Sequence, residues 1–263
     1  MASQQQFEKW EKEYLGEEWP AAVPPSMIVT DEQQKWIRAR SICNYYLPDI
    51  NGLRVLDFGC GAGHVAVAAS QQAKRSVGYD IVDKFVESYD FDYDKTKFVL
   101  TTDWKEVAKI QKFDVVLLYD VLDHIQPNRV EAAFRTIASV CSPNTKVHVR
   151  CHPWTSPHGG HVYENVNKAF AHFFMDEARL QKHQNEYVNP IIRPMHTYRS
   201  WFKEYGFKEV EMSKIQYPWD TDKNAELFKG DRQQRMDELK MGDPKWQCSV
   251  FQMEFVDFVL QIK

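Results

Sequence analysis

Hydrophobic and polar positions alternate in blocks from Leu53 onward, short apolar runs giving way to stretches with helical spacing. Arg54 to Phe58 reads as a buried strand. The turn Gly59-Cys60-Gly61-Ala62-Gly63 follows, and then small and apolar residues at helical spacing as far as Ser70. A second strand ends at Asp80, and a third covers Lys97 to Thr101. Phe113 to Tyr119 is nearly continuous in apolar residues, as suits a central strand covered on both faces. Pro127 to Val140 predicts a helix with its proline in the first turn, and Lys146 to Arg150 a fifth strand. Beyond these come a helical region at about 164–184, a helix near Thr197 to Tyr205, a strand from Lys208 to Ile215, and a final alternating strand from Ser249 to Ile262. Strand and helix in alternation define an α/β class: a doubly wound, mostly parallel seven-stranded sheet.

The first fifty residues differ. Phe7, Trp10, Tyr14 and Leu15 sit among charges at spacings of an amphipathic helix, which Trp19 to Pro25 breaks. Thr30-Asp31-Glu32-Gln33 then carries the capping residues of a second helix containing Trp36, Ile37, Ile42 and Tyr45. The expected organisation is an N-terminal helical extension over 1–50 and a main domain over 51–263. Within the main domain the polar run at about 217–247 is a surface excursion.

Three glycines at every second position let the backbone double back and approach a ligand closely, and the amides opening the next helix can receive an anionic group. The spacing is tighter than the dinucleotide fingerprint, and Asp80 ends the second strand where an acid can accept hydrogen bonds from a ribose diol. Val55-Leu56-Asp57-Phe58-Gly59-Cys60-Gly61-Ala62-Gly63 together with Asp80 closely resembles the first two motifs of class I, Rossmann-like methyltransferases that use S-adenosylmethionine (SAM). The resemblance implies a cofactor cradle built from Asp57, Phe58, Gly59, Cys60, Gly61, Gly63, Asp80 and Ile81, with Thr102, Asp103, Trp104 and Tyr119 beyond it. The product would be S-adenosylhomocysteine (SAH). Asp103 also has the look of an N-cap, and the two roles are compatible.

Composition narrows the partners. A formal net charge of -4 gives no global basic field for nucleic acid or an anionic membrane. The five cysteines are scattered and contain no C-x-x-C pair, which argues against a disulfide framework or a zinc–cysteine site and for a reducing compartment. There is no bilayer-length apolar run and no signal-peptide core, so a soluble, cytoplasmic protein is expected.

Ligands of an open parallel sheet sit outside the carboxyl ends of its strands, so the chemistry should follow each strand. After the fourth comes Tyr119-Asp120-Val121-Leu122-Asp123-His124-Ile125. This is similar to the E-V-L-E-H segment of small-molecule methyltransferases, with aspartate in place of both glutamates. In ubiquinone-pathway O-methyltransferases and in small-RNA 3′-terminal 2′-O-methyltransferases that segment binds a divalent cation. If the segment turns helically, Asp120, Asp123 and His124 share a face, and His161 is a further candidate ligand. Without a metal, Asp123 and His124 position substrate, act as a base, or cap a helix.

After the fifth strand, Cys151 to Tyr163 holds His152, His158 and His161 among Pro and Gly residues, more than a plain connection needs. Histidines at such an edge are placed for proton transfer or metal ligation, and His152 joins Asp123 and His124 as a catalytic candidate. Trp154 and Tyr163 are candidates for a pocket wall, whereas Phe170, Phe173 and Phe174 read as core. Lack of a D/N-P-P-Y/F motif after the fourth strand argues against DNA amino-methyltransferases. The leading expectation is methyl transfer to an oxygen of a small molecule. Its rivals are an RNA- or nucleotide-directed O-methyltransferase and a SAM- or SAH-binding protein without transferase activity.

Overall fold

The structure is a computed structural model and describes residues 3–16, 19–24, 28–29, 31–110, 112–153, 156–183, 195–216 and 253–263. Trp154 and the expected excursion at 217–247 lie outside the described residues. The chain divides into two compact units. One comprises Val29–Cys151, Tyr198–Ser213 and Asp257–Lys263; the other comprises Met1–Ile28, His152–Thr197 and Lys214–Val256. Helix α2 (Glu32–Tyr46) lies within the first of these.

The first unit is built on a seven-stranded sheet in the order β3-β2-β1-β4-β5-β7-β6. Its strands are β1 (Arg54–Phe58), β2 (Arg75–Tyr79), β3 (Phe98–Thr101), β4 (Phe113–Tyr119), β5 (Cys141–Cys151), β6 (Phe207–Gln216) and β7 (Met253–Ile262). β1 pairs parallel with β2 and with β4, β2 with β3, and β4 with β5. Strand order reverses between β1 and β4, the crevice where doubly wound sheets take their ligands. The apolar run of β4 is there because the strand is central: Val116, Leu117 and Leu118 are fully buried, as are Leu56 on β1 beside it and Val77 on β2.

Helix α2 (Glu32–Tyr46) starts at Asp31, whose side chain accepts a hydrogen bond from the Gln34 amide, and buries Ala39, Ile42, Cys43 and Tyr46 against β1, β4 and α3 (His64–Ala69). Helix α4 (Trp104–Lys109) follows β3, and α5 (Val130–Val140) presents Val130, Phe134, Ile137 and Val140 inward at helical spacing. One turn of 3₁₀ helix at Pro127–Arg129 precedes α5, so the expected helix is present with a tightened start. Helix α7 (Met195–Glu204) sets Trp201 and Phe202 against Phe134.

Among the described residues, strand–helix alternation fails between β2 and β3. Residues 81–97 contain no helix, because Asp83, Asp90, Asp92 and Asp94 favour caps and turns over a helix interior. Apolar packing holds the segment instead. Trp36 of α2 is 2% exposed and stacks on Tyr93, while Val86 and Tyr89 pack against the same cluster.

The second unit has an aromatic core. Helix α1 (Gln4–Gly16) contributes Phe7 and Trp10, which meet Val162, Val166, Phe170, Phe173 and Phe174. The core reading of these phenylalanines holds, and the helical region expected at about 164–184 is helical in part. Only a 3₁₀ turn at Ala171–Phe174 and helix α6 (Glu177–His183) form. The Asn167 side chain explains the gap: its oxygen accepts from the Val23 amide at 2.9 Å and its nitrogen donates to the Val23 carbonyl at 2.8 Å. That pairing imitates a strand bond and competes with helix. No described helix is long and apolar enough to cross a membrane.

Candidate active site

The glycine turn is hydrogen-bonded to the end of β2: the amides of Gly59 and Cys60 both donate to the Tyr79 carbonyl, at 2.7 and 3.0 Å. Gly59 has φ +76°, and a Cβ there would stand 2.6 Å from a methyl of Val121 in the loop after β4. Gly61, at φ +54°, faces open space. The two glycines thus differ in surroundings, close packing at Gly59 and open space at Gly61.

Asp80 accepts from the Gly61 amide at 2.8 Å through one carboxylate oxygen and from the Val82 amide at 3.0 Å through the other. Each oxygen keeps a second lone pair for a ribose hydroxyl. Ile81, next in the chain, is 80% exposed. Phe58, Tyr79 and Trp104 form an edge-packed aromatic wall, with centroids 5.1–6.1 Å apart. Asp103 is the N-cap of α4, accepting from the Lys105 amide, and its own amide donates to the Thr101 hydroxyl. Thr102 beside it is exposed.

Burial dominates the protonation of the inner residues. Asp57, beneath the turn, has its carboxyl pushed up to about 7, first by desolvation and then by the Asp80 charge, against the hydrogen bond from the Ala66 amide. Burial also drives the Cys60 thiol well up, so Cys60 serves the turn as a small side chain and not as a nucleophile.

At the end of β4, Asp120 adopts φ +55°. A single 3₁₀ turn, Leu122–His124, begins only after Val121. The continuous helical face expected for Asp120, Asp123 and His124 is therefore broken, since a left-handed residue leaves the helical path. Asp120 lies 3.9 Å from the Arg38 guanidinium of α2. Asp123 is wholly buried, and its Oδ2 stands 3.6 Å from His124 Nε2.

Sequence reasoning missed what lies behind Tyr119. Arg150 of β5 is buried and donates from Nη1 to the Tyr119 hydroxyl at 2.9 Å. Its Nε and Nη2 donate to the two oxygens of Asp257 on β7, at 3.0 and 3.4 Å, and the Tyr46 hydroxyl also donates to Asp257, at 2.8 Å. The signal was available: Arg150 stands between apolar Val149 and Cys151, and Asp257 between Val256 and Phe258. A charge in a buried strand needs a partner. His148, two residues earlier on β5, is lowered to about 4, mainly by burial.

His152, His158 and His161 belong to the other unit. His152 Nδ1 and His158 Nε2 are 2.6 Å apart, each residue 5% exposed, and His161 meets His152 edge-on at 5.0 Å with φ +50°. Tyr163 packs against His158 and His161. Gly160 lets the loop pass over the buried His172, whose Cβ would be 2.2 Å from any side chain placed there.

The reversal of strand order, with an acid after β2 and polar groups after β4, is the arrangement at which doubly wound α/β folds take their ligands. A model of the family described as "Methyltransferase domain" matches residues 10–212. The chain belongs to that family, and its fold is that of class I, Rossmann-like methyltransferases. A protein of Pyrococcus horikoshii OT3 superposes with a TM-score of 0.53 at 15% identity, over 92% of this chain and 97% of that one. Magnesium protoporphyrin IX methyltransferase from Synechocystis PCC 6803, solved with bound SAH, gives 0.50 at 15% identity over 99% and 95%. In sequence, 98 residues are 29% identical to the ubiquinone biosynthesis O-methyltransferase of Bradyrhizobium diazoefficiens. That match covers 36% of this chain and 38% of that protein, well under half of the relative's length.

Proposed function

We propose that the protein transfers the methyl group of SAM to an oxygen of a small molecule. The carrying observation is the buried carboxylate of Asp123 set 3.6 Å from the His124 imidazole directly after β4. The stretch of likeness to a ubiquinone biosynthesis O-methyltransferase and the net charge of -4 support the choice of acceptor.

In this reading the glycine turn, Asp80, Ile81, Thr102, Asp103, Trp104 and Tyr119 hold SAM. The acceptor oxygen attacks the methyl carbon in line, the carbon–sulfur bond breaks, and SAH leaves. His124 takes the acceptor's proton on Nδ1, with Nε2–H held toward Asp123, whose charge stabilises the imidazolium that forms. Positioning supplies most of the acceleration, up to about 7–11 kcal/mol in favourable cases. Asp123 and His124 also offer one oxygen and one nitrogen donor, a set that suits a divalent ion such as Mn or Zn. An ion held by them would supply Lewis acidity, making the acceptor hydroxyl easier to ionise. His152, whose Nδ1 is engaged by His158, and His161 are the reserve candidates for proton transfer or ligation.

The test is transfer of labelled methyl from SAM into a cell extract split into small molecules, RNA, DNA and protein, with and without EDTA. Label in the small-molecule fraction, lost in Asp123→Asn and His124→Ala while SAH affinity persists, is expected. Loss with EDTA adds the metal. Label in RNA overturns the acceptor class. Label nowhere, with SAH still bound tightly, favours a binding protein.

A further inference from the structure

Val121 is the residue through which the end of β4 approaches the glycine turn, and neither it nor Asp120 before it is held by regular structure. Asp120 is in the left-handed region, where a residue other than glycine persists only if its surroundings over-determine it. Val121 follows, its methyls pressed against the space above Gly59. A shift of the Asp120 turn therefore moves the wall on which the glycine turn rests.

Arg150 grips this turn at two points. Its carbonyl accepts the Asp120 amide at 3.2 Å, and its guanidinium donates to the Tyr119 hydroxyl at 2.9 Å. The guanidinium also lies 4.9 Å from the centre of the Tyr119 ring. Asp257 and the Tyr46 hydroxyl hold it from behind, so a side chain that would otherwise sample many rotamers has one. From the far side, the Arg38 guanidinium lies 5.7 Å from the same ring. Such a fork, planar and satisfied on both edges, is a geometry that lysine does not reproduce.

We infer that Arg150 is a positioning residue for cofactor binding: braced by Asp257, it fixes Tyr119 and the left-handed Asp120, and through Val121 the shape of the glycine turn. Arg150 acts at one remove, and the inference concerns the SAM pocket alone. It stands or falls independently of which acceptor the enzyme methylates.

The experiment is SAH titration calorimetry on the full chain, paired with thermal melting. Arg150→Lys keeps a positive charge opposite Asp257 and loses the simultaneous reach to Tyr119. A rise in the SAH dissociation constant of tenfold or more, with the melting temperature within a few degrees of the parent, is expected. Tyr119→Phe should weaken SAH as well, and the double variant should be no weaker than the worse single one, because both act along one path. If Arg150→Lys does not fold, Arg150→Met combined with Asp257→Leu removes both buried charges together and should fold while binding SAH at least tenfold more weakly. An SAH affinity within twofold of the parent in either folded protein overturns the inference, and so do losses that multiply in the Arg150–Tyr119 pair.

Discussion

Gly59→Ala and Gly61→Ala look like the same substitution, and the structure separates them. Both put a Cβ on a residue of positive φ, which costs about 1–2 kcal/mol for an L side chain in the left-handed region. At Gly61 that is the whole cost to the free protein, since nothing lies within 4 Å of the new atom. At Gly59 the Cβ arrives 2.6 and 2.7 Å from the two Val121 methyls and 3.3 Å from its Cβ. Overpacking of that kind adds about 1–3 kcal/mol, for a total of roughly 2–5 kcal/mol. Urea denaturation at neutral pH should therefore rank the parent above Gly61→Ala and Gly61→Ala above Gly59→Ala. Val121→Ala should restore about 1–2 kcal/mol to Gly59→Ala and nothing to Gly61→Ala, a coupling that a double-mutant cycle isolates. SAH binding should reverse the ranking of concern: with SAM held at the turn as proposed, Gly61→Ala, nearly as stable as the parent, should lose affinity at least tenfold because its side chain enters that open space. Equal destabilisation by the two alanines, or no rescue by Val121→Ala, would refute the division of labour in the turn.

Three further outcomes are expected. Asp57, raised to about 7, favours the folded state at low pH and loses that contribution, about 4 kcal/mol, as pH climbs from its ordinary value of 3.8 through 7. His148, lowered from 6.5 to about 4, does the opposite, costing up to about 3 kcal/mol as pH falls through that range. Asp57→Asn should therefore unmask stability rising from pH 4 to 6.5 in urea melts, and His148→Asn stability falling from pH 4 to 7; slopes unchanged from the parent would count against both assignments. Trp36→Ala should cost about 3–5 kcal/mol and make residues 81–97 the first site of limited proteolysis, because Trp36 is the ring on which Tyr93 stacks. Asp103→Ala should cost about 1 kcal/mol in thermal denaturation by uncapping α4, and a further loss of SAH affinity would add the cofactor role to the cap.

Patterns with a strong local cause were legible in the sequence. β4 runs from Phe113 to Tyr119 as its apolar run requires, the cap at Asp31 starts α2, and the glycine spacing located the turn between β1 and α3. Readings failed where residues distant in sequence decide the local conformation. Asn167 gives up a helix for Val23, 144 residues away. The 81–97 connection is shaped by Trp36. Asp120 leaves the helical path at a turn gripped by Arg150, whose charge is matched 107 residues later by Asp257. Asp123 and His124 were legible as polar neighbours after β4, but that one is buried and the other half-exposed follows only from the fold.

The strand order carries a consequence for biogenesis. β7 stands between β5 and β6, yet it is later in the chain than both. During vectorial synthesis β1 to β5 can assemble as soon as they emerge, whereas β6 has no neighbour to join until β7 arrives. For that interval β5 is an open margin and the Arg150 guanidinium lacks its counter-ion, two features that invite chaperones or a second nascent chain. Insertion of β7 closes the margin and neutralises the charge in one event, so the sheet becomes continuous only when β7 is in place.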